Sequence, residues 1–266
     1  LLKSDSLLVA CPWVKFLRIF ELMDSIAVDV ATVSAESVDA SAEVVEELTA
    51  ELESPDHGLK HRLLRQYGVV HLSGALSAEE QRRLYQQIQE KFVGSKGTRG
   101  GYGSFHVSSG AAGTPYHLEE LHGLGDELYA RIADELRTLP EADLAAAPVR
   151  RMAQAYAGTR PVKVSSVTGV NYQPGAKMSN HTDADMPLYT MSLALGEACD
   201  FTVGRQTAKP RRNELAGTPI TLKMESGDVV FFDGGSVPHS VDRICTESAP
   251  EFWRRAKVGC ARVSIL

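Results

Sequence analysis

The sequence predicts a mixed α/β protein, mainly β, with a sandwich or barrel of short strands and flanking helices. Three observations predict it. From Val162 onward, β-branched and apolar runs alternate with Gly, Pro, Ser and Asn turn sequences. Two amphipathic helical patterns precede those runs. A His-x-Asp segment and a distant His lie beside such runs, where an extended chain points alternate residues to one side.

The elements follow in chain order. The first residue is Leu, as in a processed or trimmed chain. Residues 1–54 are expected to form a helical extension or linker. Leu7 to Leu22 is apolar, but Pro12, Lys15, Arg18 and Glu21 interrupt it; it is too short and too charged for a membrane span. Residues 41–54 (SAEVVEELTAELES) read as an acidic helix, either a flanking element or a partner-binding one. Their acidity argues against a transit peptide.

Pro55 opens the domain proper, 55–266. Tyr67 to Leu72 reads as a short strand. Ser77 caps a helix running to about Phe92, and Glu80 completes a capping box. Gly94 to Gly113 is rich in Gly and Ser and reads as a mobile loop carrying Tyr102 and Phe105. Leu121 to Leu139 reads as a helix with Leu124, Leu128, Ile132 and Leu136 on its core face.

Val162 to Tyr172 alternates and reads as a strand, ended by the turn Gln173-Pro-Gly-Ala176. Leu188 to Leu195 (LYTMSLAL) suits a buried strand. Thr218 to Met224 and Asp228 to Phe232 follow, separated by the tight turn Glu225-Ser-Gly227. Cys260 to Leu266 (CARVSIL) is the last β-rich stretch.

Composition sets bounds. The 266 residues are 43% hydrophobic and 23% charged, ordinary for a globular chain with one large domain and an appendage. The four cysteines show no C-x-x-C and no disulfide framework, so a reducing intracellular compartment is expected and a zinc site is not. The net charge of −6 opposes a general nucleic-acid binder, whose affinity comes from neutralising phosphates. Local basic clusters nevertheless stand at Lys60–Arg65, Arg150–Arg151 and Lys209–Arg212.

The chemistry centres on His181-Thr182-Asp183 and His239, which comes directly after Gly234-Gly-Ser-Val-Pro238. Two neutral imidazoles and one carboxylate occupy one face of a metal and leave the other half of an octahedron open, a set that suits non-haem Fe(II) oxygenases. In a jelly roll the two ligand segments lie side by side at the open end. The remaining histidines, His57, His61, His71, His106, His117 and His122, show no ligand spacing.

Tyr172-Gln-Pro-Gly-Ala-Lys-Met-Ser-Asn-His-Thr-Asp183 resembles the iron-binding segment of AlkB-like Fe(II)/2-oxoglutarate dioxygenases. So do Met191-Ser-Leu-Ala-Leu-Gly196, Glu225-Ser-Gly-Asp-Val-Val230 and Arg262. The likeness covers roughly residues 60 to 266, with firm motifs from Tyr172 onward. It implies a double-stranded β-helix (jelly-roll) core, with flanking helices, that holds Fe(II) through His181, Asp183 and His239. It further implies that Tyr172 hydrogen-bonds 2-oxoglutarate and that Arg262 pairs with its distal carboxylate, a task suited to a planar, two-toothed guanidinium. Asp185 matches an acidic residue that some members use to read a base's exocyclic amine. Three departures stand out. Val170 replaces an Asn, Ser264 replaces an Asn two after Arg262, and a second family Arg would fall beyond Leu266. The Arg-x-Ser pairing of Arg262 and Ser264 resembles other 2-oxoglutarate oxygenases in which the two residues share the carboxylate.

The resemblance implies oxidative demethylation of alkylated, single-stranded nucleic-acid bases, with 2-oxoglutarate and O₂ as co-substrates and no membrane partner. Retention of Asp183 favours hydroxylation over halogenation. Two other readings stand beside it: a hydroxylase of a protein side chain or small molecule, which the acidic charge favours, and a catalytically degenerate jelly roll acting as a binding module. At single residues the competing readings are satisfied core histidines, a core aromatic at Tyr172, a turn residue at Asp185, and a surface ion-pair partner at Arg262, with Arg254 or Arg255 taking its role.

Overall fold

The computed structural model describes residues 55–92, 101–109, 118–137, 164–184, 188–256 and 259–266, with the single positions 139, 146, 148 and 150. The expected extension over residues 1–54 lies outside the described residues. Among the described residues, no helix is long and apolar enough to cross a membrane.

Two antiparallel sheets face each other, as the jelly-roll expectation requires. The elements in order are α1 (Pro55–Tyr67), β1 (Val70–Leu72), α2 (Ala78–Phe92), β2 (Tyr102–Ser109), α3 (Glu119–Arg137), β3 (Ser166–Tyr172), β4 (Met178–His181), β5 (Tyr189–Gly196), β6 (Cys199–Val203), β7 (Ile220–Met224), β8 (Val229–Asp233), β9 (His239–Ile244), α4 (Glu251–Arg255) and β10 (Arg262–Ile265). The larger sheet runs β1-β8-β5-β10-β3-β2 and the smaller β4-β9-β6-β7.

The strand period of two divides the larger sheet's side chains between two cores. Val167, Met191, Leu193, Val229, Phe231, Val263 and Ile265 face a helical layer and pack with Leu84, Ile88, Leu128 and Ile132. Val170, Tyr172, Ala194, Val230 and Phe232 face inward and meet Phe201, Val203, Leu222, Met224 and Val241 of the smaller sheet. The polar site is set into this inner core.

Several expectations need correction. The glycine-rich stretch expected as a loop contains strand β2. Its Phe105 pairs in register with Gly169, and its ring occupies the space a Cβ there would need, within 2.1 Å. The aromatic covers the glycine, so the pair forms sheet despite low strand propensity. The strand expected from Tyr67 starts later, because Tyr67 ends α1 and its hydroxyl donates to the Thr218 carbonyl at 2.6 Å. The strand expected from Val162 begins at Ser166. The capping box forms as expected: the Ser77 N–H and hydroxyl both donate to Glu80 Oε2, at 2.7 and 2.6 Å.

One buried carboxylate ties β1 and the turn after it to the β7–β8 turn. Asp228, 5% exposed, accepts hydrogen bonds from the Gly74 N–H at 2.8 Å and the Glu225 N–H at 2.9 Å, and meets His71 Nε2 at 3.1 Å. Burial alone would raise its pKa; the bonds from His71, Gly74 and Glu225 outweigh that and hold it below the usual carboxylate value. Its stabilising contribution is therefore complete above the unfolded value of about 3.9 and is lost as pH falls through the lower folded value. Asp228→Asn is expected to cost ~1–3 kcal/mol of unfolding free energy at neutral pH. Urea titrations would also show a shallower acid loss of stability than in the wild type.

Candidate metal centre

Strands β4 and β9 are antiparallel neighbours, and their register places His181 directly opposite His239. One cross-strand step thus closes the long separation in sequence. The two ring centroids lie 4.4 Å apart. Asp183 follows just past the end of β4, where its N–H donates to the Gly234 carbonyl at 2.8 Å. That bond turns the chain so that Asp183 Oδ1 stands 3.5 Å from Nε2 of both His181 and His239. The three donor atoms all lie within 4.8 Å of one another.

The backbone sets both tautomers. His181 Nδ1 lies 2.8 Å from the Ser179 carbonyl, and His239 Nδ1 lies 3.0 Å from the Val237 carbonyl. A carbonyl only accepts, so each Nδ1 carries the proton and each Nε2 presents a lone pair towards Asp183. His239 is buried against Phe232, at a ring-centroid distance of 4.8 Å, which fixes its plane. When Nε2 of His181 takes up a second proton it donates to Asp183, and that bond raises the His181 pKa more than burial lowers it. Burial of the Asp183 carboxylate, 26% exposed, is outweighed in turn by the two histidines, which hold it well below the usual range. The donor set is two neutral nitrogens and one anionic oxygen with an open side, and it fits Fe(II).

A cavity of ≈ 220 Å³ runs inward from this triad. Register pairs Arg262 with Tyr172 and Ser264 with Val170, so all four point into it. Arg262 is fully buried. Its Nη1 donates to the Glu197 carbonyl at 2.8 Å and the Met224 carbonyl at 3.2 Å. Its Nε and Nη2 have no hydrogen-bond partner among the described residues. Those two N–H groups share one edge of the guanidinium, the edge that takes a carboxylate with two parallel bonds. A buried cation with an unsatisfied edge in a cavity fits an anionic ligand. Burial pushes the Tyr172 phenol well above its ordinary pKa, against the opposing influence of Arg262, so it stays a neutral donor.

The structure thus brings together His181, Asp183 and His239 at one end of the cavity, and Tyr172, Arg262 and Ser264 along its wall. Asp185 lies outside the described residues. Arg254 and Arg255 sit exposed on α4, and Arg255 pairs with Glu251. Phe105 is buried beneath the helical layer, and Tyr102 packs on Tyr172 at 6.0 Å between ring centroids; both lie in strand β2 and not in a loop. Sequence reasoning passed over Met178, Ser192 and Cys199, which also line the cavity. Inward alternation within β4, β5 and β6 was the available signal.

The loop between β6 and β7 lies against the turn that precedes His239. Glu214 gathers it by accepting from the Thr207 N–H at 2.8 Å, the Thr207 hydroxyl at 2.6 Å and the Arg211 N–H at 3.1 Å. The Leu215 N–H donates to the Ser236 carbonyl at 2.7 Å, tying the loop to the turn that leads into His239. Lys209 and Arg212 on this loop are exposed.

A family model described as the 2OG-Fe(II) oxygenase superfamily matches residues 68–266. The chain belongs to that superfamily. The oxygenase is an enzyme whose cofactor is Fe(II) and whose co-substrate is 2-oxoglutarate. Among solved structures, it is similar to OsALKBH1 at 19% identity and a TM-score of 0.55, covering 75% of this chain and 97% of that one. Two further matches are a 2OG-Fe(II) family oxidoreductase from Burkholderia pseudomallei (16% identity, TM-score 0.43, covering 77% and 85%) and a Pseudomonas putida prolyl-4-hydroxylase (17%, 0.41, covering 77% and 94%). At 19% identity the likeness to OsALKBH1 is one of fold. No curated protein matches the oxygenase by sequence.

Proposed function

We propose that this oxygenase oxidatively demethylates alkylated bases in single-stranded nucleic acid. The observation that carries the reading is the basic β6–β7 loop. It displays the exposed Lys209 and Arg212, and its Leu215 is bonded to the turn that leads into His239, which gives an acidic protein a phosphate-binding segment tied to that turn. The resemblance of Tyr172–Asp183 to the AlkB-like segment points the same way. By that resemblance Asp185 is assigned to the base's exocyclic amine.

Residues 55–266 form the catalytic unit in this reading. His181, Asp183 and His239 hold Fe(II); Arg262 takes the distal carboxylate of 2-oxoglutarate on its Nε–Nη2 edge, and Tyr172 and Ser264 donate from the same wall. Bound Fe(II) with 2-oxoglutarate and O₂ supplies oxidation of a C–H bond, with succinate and CO₂ as by-products. The chain's part is to fix the tautomers, supply one anionic ligand, and keep the inner wall dry with Phe201, Phe232 and Val241. Hydroxylation of an N-methyl carbon gives a hemiaminal, which collapses to formaldehyde and free amine. The free thiols of Cys199, Cys245 and Cys260 accord with a reducing compartment.

The test is formaldehyde release from a panel of methylated single-stranded DNA and RNA oligonucleotides with Fe(II), 2-oxoglutarate and O₂, with His181→Ala as control. Release from the wild type and none from the variant is expected. Succinate formed without formaldehyde from any oligonucleotide would overturn the nucleic-acid reading. It would favour the second one, a protein or metabolite hydroxylase, which the net charge of −6 supports.

A further inference from the structure

We propose that Gly234 and Thr190 are positioning residues that orient the Asp183 carboxylate for a divalent cation; this rests on the assignment of Asp183 as a metal ligand. The two carboxylate oxygens have different surroundings. Oδ1 lies between the two imidazoles, 3.5 Å from each Nε2. Oδ2 points away, 3.4 Å from the Thr190 hydroxyl. That hydroxyl also stands 3.3 Å from the Leu188 carbonyl, so its single proton has two acceptors, of which the charged one is the stronger.

Gly234 supplies the space for Oδ2. A Cβ on Gly234 would stand 2.2 Å from Asp183 Oδ2 and 2.8 Å from Thr190 Oγ1. Gly234 is not among the glycines with positive φ, so close approach and not backbone conformation demands glycine here. Its backbone also holds the ligand segment at both ends. The Gly234 carbonyl accepts from the Asp183 N–H at 2.8 Å, and its N–H donates to the Leu188 carbonyl at 2.7 Å. Asp233 Oδ1 steadies this turn by accepting from the N–H groups of Leu188 at 2.8 Å and Gly235 at 3.1 Å.

The geometry makes a specific consequence. The atom that a methyl group at position 234 would displace is the far end of a side chain, so the fold can absorb it. The carboxylate cannot move without taking Oδ1 out of the gap between His181 and His239. Loss should therefore appear in metal affinity and not in folding. Partners of this kind change metal affinity by ~10–100-fold.

The test is a titration of the metal-free protein with Co(II), followed by calorimetry, for wild type, Gly234→Ala, Thr190→Val, Thr190→Ser and Asp183→Asn. Gly234→Ala is expected to weaken binding by ~100-fold and Thr190→Val by ~10-fold, the ends of the range for residues that orient ligands. Thr190→Ser keeps the hydroxyl and should bind close to wild type. Wild-type affinity in both Gly234→Ala and Thr190→Val would overturn the proposal. Should Gly234→Ala fail to fold, the near-isosteric Thr190→Val decides alone. Equal affinity of wild type and Asp183→Asn would instead overturn the assignment of Asp183 as a ligand, a result distinct from failure of the positioning role.

Discussion

Replacing His239 with alanine is expected to abolish turnover of 2-oxoglutarate while leaving the fold in place. The imidazole is held by a backbone carbonyl on one nitrogen and offers the other to the cation site, and among the described residues no fourth His, Cys, Asp or Glu joins the cluster. Only His181 and Asp183 would remain. Activity should fall by at least ~10³-fold, equivalent to about 4 kcal/mol of barrier. The structural cost is smaller. Truncation leaves a void beside Phe232 and Phe201, whose rings lie 4.8 and 5.9 Å from the imidazole, and a void of that kind costs ~1–3 kcal/mol. A domain of ordinary stability, ~5–15 kcal/mol, survives that. Succinate formation, measured beside a thermal melt, separates the two effects. Turnover near wild type in a folded variant would mean that the cation is held elsewhere.

The histidine pair was legible in the sequence for a physical reason, and so were strands β3, β5, β8 and β10 of the larger sheet, though not β2. Strands β5 and β8, and β3 from Gly169 onward, are buried on both faces, so they read as apolar or β-branched runs bounded by turns such as Gln173–Ala176 and Glu225–Gly227. The smaller sheet was harder to read. Strands β6 (CDFTV) and β9 (HSVDRI) each have one face directed outward, and that face carries charge. Asp200 and Arg243 are cross-strand partners joined by an ion pair at 2.9 Å, and Arg205 grips Asp242 through two bonds at 3.1 and 2.8 Å. A short strand that carries charged residues on its outer face resembles a loop until its partner is known. Strand β9 was therefore missed although it carries His239, and β4 was missed although it ends in His181. The ligands were found through their chemistry and not through their elements. The orientation of Asp183 was invisible for a different reason: it depends on Gly234 and Thr190, whose meeting needs the β8–β9 turn to be folded over the start of β5.

Arg262 gives the sharper test of the inner wall. Arg262→Lys is expected to raise KM for 2-oxoglutarate by about 10²-fold, or about 2.7 kcal/mol, with a smaller effect on kcat at saturation. Lysine keeps the charge but replaces a planar fork with a point charge, so one of two parallel bonds to the carboxylate is lost. It also has to satisfy the Glu197 and Met224 carbonyls that Nη1 now holds, and it has no second nitrogen with which to reach the ligand at the same time. Arg262→Met removes the charge as well and should raise KM further. It should cost less stability than loss of a buried cation usually does, because the native guanidinium already carries two unpartnered nitrogens in the unliganded protein. Arg254→Ala on exposed α4 serves as the control for the competing assignment and should leave KM unchanged. If Arg262→Lys unfolds more readily yet binds 2-oxoglutarate as tightly as wild type, Arg262 is a strut between β10 and the β7 end, and the co-substrate carboxylate is held by another group. If KM rises without a change in melting temperature, the unpaired edge of the guanidinium is the co-substrate's seat.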